Sequence, residues 1–162
     1  MSVETAPVSN GNYDDIKKQA DAEVAEQGKA MRDANPEAVA TAHAKADELL
    51  NELETLDLSN PDTALEYLDK VSLEVADTLL VEPEYKQKAL QYVYQKFTEK
   101  GYEPLQDSAL ETFESDTAAM TDKNEATRAA ISAILHDLNR TGSMNTKYVG
   151  HIRHWLYEKF SQ

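Results

Sequence analysis

Hydrophobic positions recur every three or four residues along most of the chain, which is the period of a helix with one buried face. Taken in order, the pattern predicts seven helical stretches separated by short polar breaks. Tyr13 to Ala34 carries a thin stripe of Ile16, Ala20, Val24 and Met31. The stretch after Asn35-Pro36-Glu37 has the cleanest stripe: Val39, Ala42, Ala46, Leu49, Leu53 and Leu56. The next follows Ser59-Asn60-Pro61-Asp62 and is expected to run to about Val81, with Leu65, Leu68, Val75, Ala76, Leu79 and Leu80 apolar. A fourth opens at Glu82-Pro83-Glu84 and ends near Gly101, with Tyr85, Ala89, Tyr92, Val93 and Phe97 on its face. A weaker fifth, from Glu103-Pro104 to about Ala119, leans on Leu110 and Phe113. The sixth spans Arg128 to Arg140 around Ile131, Ile134, Leu135 and Leu138. The last runs from Asn145 to Phe160, with Tyr148, Val149, Ile152, Trp155, Leu156 and Phe160 apolar.

The breaks carry their own chemistry. Asn35-Pro36 and Asn60-Pro61 read as helix starts, because Asn caps and Pro loses nothing in the first turn. Thr121 or Asp122 is the expected cap of the sixth helix, and Ser143 or Asn145 that of the seventh. Gly142 stops the sixth, since glycine tolerates the left-handed conformation there.

The fold class this implies is all-α: a bundle of about five helices in residues 60–162, preceded by a helical hairpin in residues 13–57 and a tail in residues 1–12. The hairpin reading packs the Val39–Leu56 stripe on Tyr13–Ala34. The alternative is a dimerising coiled coil, although the seam is shorter than three or four heptads. Trp155 is expected to be buried against the sixth helix. The aromatic stripe of the fourth helix reads as core, with hydroxyls reaching the surface, in preference to a platform for stacking bases.

Composition narrows function more than fold. Five glycines and five prolines are few for an all-β domain, and 41% hydrophobic content supports a real core. With no cysteine, disulfides, thiolate metal sites and cysteine nucleophiles are excluded. The first twelve residues lack the basic start and apolar run of a secretory signal, and no stretch approaches a membrane span. A cytoplasmic location is the expectation.

The net charge of −14 disfavours nucleic acid and anionic membranes as partners over most of the surface. That charge is unevenly placed. Residues 1–126 carry 28 of the 30 acidic side chains, and residues 127–162 carry five of the 16 basic ones against only Asp137 and Glu158. Two faces result. Lys147, His151 and His154 share one face of the last helix, with Arg140 and Arg153 nearby. Glu103, Asp107, Glu111 and Glu114 share a face of the fifth. The two faces are expected to point apart, leaving the basic one for an acidic partner or another copy of the chain.

Catalytic motifs are missing. The five glycines are isolated, so there is no phosphate-binding loop. His136-Asp137 are sequence neighbours that face different ways on a helix, so they make no acid–base dyad. His151, His154 and Glu158 have a spacing that can reach one metal ion, but no second segment completes the set. No catalytic residue, metal or cofactor is assigned. The leading expectation is a non-enzymatic interaction or assembly protein. Accessory, scaffold and inhibitor proteins of phages and mobile elements share this kind of composition, an association and not a derivation. The second is a nucleic-acid-linked protein. It would bind DNA through a C-terminal segment that resembles a helix-turn-helix in element lengths alone, or imitate DNA with its acidic faces. A metal-binding helical protein or an enzyme ranks third.

Overall fold

The computed structural model describes residues 10–103 and 113–161. Its elements are α1 (Asn10–Ala34), α2 (Pro36–Glu52), α3 (Pro61–Val71), α4 (Pro83–Glu99), α5 (Phe113–Thr117), α6 (Lys123–Thr141) and α7 (Thr146–Phe160), with a π-helical turn, Ser72–Ala76, closing α3. No strand occurs among the described residues. The fold is all-α. Residues 1–9 of the expected tail lie outside the described residues, and Asn10–Asn12 belong to α1.

The helix starts follow the residue chemistry. Asn60 accepts from the backbone N–H groups of Asp62 and Thr63, Asp122 from those of Asn124 and Glu125, and Asn145 from those of Lys147 and Tyr148. Each cap satisfies donors that a first turn leaves open. Asn35 departs from expectation. Its side chain donates backwards to the Met31 carbonyl at 2.8 Å, so it closes α1 and leaves α2 uncapped by a side chain. Gly142 sits at φ 74° and returns its N–H to the Leu138 carbonyl at 2.7 Å. An L side chain is strained at that φ.

α3 and α6 form the centre. α3 buries Pro61, Ala64, Leu65, Tyr67, Leu68 and Val71, and α6 buries a face from Ala126 to Leu138 in which alanines sit between isoleucines and leucines. Small side chains let the two backbones approach while the large ones interlock. α2, α4 and α7 pack around them in one continuous core. Tyr67, Phe97 and Tyr102 make a run of ring contacts at 6.3 and 5.6 Å between centroids. Their buried hydroxyls are satisfied: Tyr67 donates to the Leu49 carbonyl at 2.7 Å and Tyr102 to the Leu58 carbonyl at 2.5 Å.

Two expectations about the first half are corrected. The third helix does not continue to Val81. It passes into the π-turn, which changes the phase of the chain, turning Ser72, Val75 and Ala76 inward and Leu73 outward. The stripe of α2 does not pack along α1 either. Ala46, Leu49 and Leu53 enter the common core, and the Tyr85 and Tyr92 hydroxyls of α4 reach Asp47 on α2 and Glu54 in the turn that follows it. The leucines of α2 find more apolar area on α4 and the π-turn than the thin stripe of α1 offers.

Candidate functional site

α1 is the element that the core leaves out. Every side chain from Tyr13 to Gln27 is exposed, including Tyr13 at 61%, Ile16 at 56% and Val24 at 52%. Contact with the bundle is confined to its C-terminal end. Gly28 is buried against Leu79, and a Cβ there would come within 3.7 Å of the Leu79 side chain. Arg32 donates from Nη1 to the Leu79 carbonyl at 2.9 Å. The chain forms a helix over Tyr13–Gln27 because alanines and long charged side chains favour one, yet a free stretch of about fifteen residues is marginal in water without a packing surface.

Beside the root of α1 lies a shallow groove of 360 Å³ between α2 and the π-turn, lined by Ala38, Thr41, Ala42 and Lys45 opposite Leu73, Glu74, Thr78 and Leu80. Leu73 and Leu79 are exposed at 53% and 42%. Sequence reading placed Leu79 in the core face of a longer helix that would also have taken in Leu73. Only the π-turn reveals them as surface.

The basic face of α7 is assembled differently from expectation. His151 faces Glu114 of α5 at 2.5 Å between Nε2 and Oε2, so the acidic and basic faces meet within one molecule at this point. The expectation that they point apart is corrected here, because α5 packs against both α6 and α7. Arg153 reaches back to Asp69 of α3 at 2.7 Å, His154 pairs with Glu158 at 2.7 Å, and Arg140 pairs with Asp137 at 2.9 Å. Lys147 is exposed and has no carboxylate partner among the described residues. Glu103 is exposed, while Asp107 and Glu111 lie outside the described residues, as does Leu110.

Arg140 and Lys147 do share a cavity. It has a volume of 790 Å³ and lies at the α6–α7 turn, where Asp77 and Asp137 also line it. Two cations balanced by two carboxylates give no net field to select an anion. No three His, Asp or Glu side chains gather closely enough to hold a metal ion among the described residues. No helix among them is long and apolar enough to cross a membrane.

Trp155 is also placed differently from expectation. It is half-buried, edge-on to Phe113 of α5 with 5.4 Å between centroids, and the Lys159 ammonium lies 5.5 Å over its ring. Its ring partner is Phe113 of α5. Lys159 is fixed there by donating to the Ala118 carbonyl at 2.8 Å.

Burial raises the pKa of the Tyr67, Tyr85 and Tyr102 phenols, reinforced at Tyr85 by its bond to Asp47 and opposed at Tyr102 by Arg128. The Tyr92 phenol is raised chiefly by its bond to Glu54. These phenols hold helices together. No family model, curated protein or solved structure matches the chain.

Proposed function

We propose that the chain is a non-enzymatic interaction or assembly protein whose bundle is a mount and whose α1 is the docking element. The observation that carries this reading is the exposed apolar stripe of α1, with Tyr13, Ile16 and Val24 each more than half exposed. Burying a side chain of this size on a partner contributes about 1.5–3 kcal/mol. An amphipathic helix laid by its apolar face on another surface is a common recognition mode. Direct DNA binding is the weaker reading, because four of the five groups once assigned to the basic face are engaged by carboxylates of the same chain. A groove-reading helix needs those cations free for phosphates.

The test compares full-length baits, wild type and Ile16→Asp/Val24→Asp, in extract of the native host. A protein retained by the wild type and lost with the double substitution supports the reading. Identical retained sets, or none with either bait from a chain that is also monomeric, overturn it.

A further inference from the structure

Seven large hydrophobic side chains are exposed among the described residues, and four of them lie on α1 or against its root. Tyr13, Ile16 and Val24 are on α1, Leu79 lies against Gly28 at its root, and Leu73 lines the groove between α2 and the π-turn. One event that covered the α1 stripe and Leu79 would cover four of these seven side chains.

The stripe has a centre. Tyr13, Ile16, Ala20, Val24 and Gln27 follow one another at spacings of three, four, four and three, which keeps them on one face of a straight helix. Ala20 sits in the middle, with Ile16 and Val24 equidistant from it. One flank is charge-complementary about the same centre. Lys17 and Asp21 border the stripe on one side, and Gln19 and Glu23 border it on the other. When two such helices run antiparallel about a two-fold axis at Ala20, like flanks meet. Lys17 then lies near Asp21 of the second copy twice over, which outweighs the single approach of Asp21 to its own copy across the axis, and Gln19 lies near Glu23, also twice over. A parallel pair sets unlike flanks together and forms neither contact. Antiparallel pairing also levels Tyr13 with Gln27 of the second copy, one residue from Gly28, where Leu79 is exposed.

Resting on the docking reading of α1, we infer that its partner is α1 of a second copy. The two helices pair antiparallel across Ala20, and Tyr13 of each closes over Leu79 of the other. The contact is isologous, so it closes as a dimer and does not propagate. A single helix pair of this length falls below the area of a standard stable interface, so the dimer is weak and concentration-dependent.

Because the chain has no cysteine, single-cysteine variants report the register directly. A disulfide needs Cα atoms within about 7 Å. Ala20→Cys meets itself across the axis. Ile16→Cys lies roughly 12 Å along the axis from its copy, and it meets Val24 instead. The full-length variants Ala20→Cys, Ile16→Cys and Ile16→Cys/Val24→Cys are oxidised at a concentration where the wild type shows dimer by sedimentation. All three substitutions are on exposed helix positions and leave the bundle intact. Covalent dimer from Ala20→Cys and from the double variant, with at least tenfold less from Ile16→Cys alone, is the expected result. Equal yield from Ile16→Cys means parallel or random encounter and overturns the pairing. A wild type that stays monomeric at every concentration also overturns it. In that case the docking reading survives if Ile16→Asp/Val24→Asp still strips a foreign protein from the bait, and falls with it if not.

Discussion

α1 and α6 are both long, alanine-rich helices, of 25 and 19 residues, and they do opposite things. α6 buries Ala126, Thr127, Ala130, Ile131, Ala133, Ile134, Leu135 and Leu138. Among residues 13–34 of α1 only Gly28 is buried. The difference is stripe width. In α6 the alanines widen a face already held by isoleucine and leucine, so the helix is apolar over nearly half its circumference. In α1 Lys17, Asp21 and Glu23 press in on a single file of side chains. Alanine favours helix in both, but propensity does not decide whether a helix is packed. A broad face makes a core helix, and a narrow one makes a helix that can be shared with another molecule.

That contrast is sharpest in dilute protein. Phe97→Ala, at a fully buried ring, is expected to cost about 3–5 kcal/mol. Ile16→Asp/Val24→Asp should leave stability within about 0.5 kcal/mol. Urea melts of both variants at low concentration check this, and a large loss from the α1 pair would place α1 in the core. Next comes Trp155→Ala. Full burial would cost about 3–5 kcal/mol, and the half-exposed ring against Phe113 lowers the expectation to about 2 kcal/mol. Native emission should lie between those of buried and water-exposed indole.

A smaller effect appears in alkali. The Tyr67, Tyr85 and Tyr102 phenols are held above the ordinary value of 10.0 by burial. Groups whose folded-state pKa is raised keep their contribution below the unfolded value and lose it as pH climbs past it. Stability should therefore be flat below pH 10 and fall above it. Tyr67→Phe removes one of these groups and its bond to the Leu49 carbonyl, at a cost of about 1 kcal/mol. A melt series from pH 8 to 11 on both proteins tests the sign. The smallest effect belongs to His151→Ala. Its pair with Glu114 is solvated on both sides, so the change should stay within about 0.5 kcal/mol.

Much of the fold is legible along the chain. The starts at Pro36, Pro61 and Pro83, the caps at Asn60, Asp122 and Asn145, and the stop at Gly142 are local chemistry, carried by residues that touch only their neighbours. What escapes a linear reading is long-range. Whether the Val39–Leu56 stripe faces α1 or the core depends on area offered by α4 and the π-turn. The outward turn of Leu73 depends on a π-turn with no sequence signal. The candidate surface was half visible. The thin stripe at Ile16 and Val24 marks a helix in need of a partner, whereas the exposed Leu79 at its root reads as core until the chain is folded. The basic face of α7 misled for the same reason. A helix face shows which cations are together, but not that Asp69 and Glu114 arrive from elsewhere to meet them.

Hydrogen–deuterium exchange on the full-length protein, at low and high concentration, tests the docking role of α1 most directly. Amides of residues 17–27 should exchange almost as fast as free peptide in the dilute sample, while those of α3 and α6 stay protected, because only packed helices resist opening. Raising the concentration should protect residues 17–27 and leave the bundle unchanged. Protection of residues 17–27 equal to that of α6 in the dilute sample would contradict the account, since α1 would then be packed within the monomer.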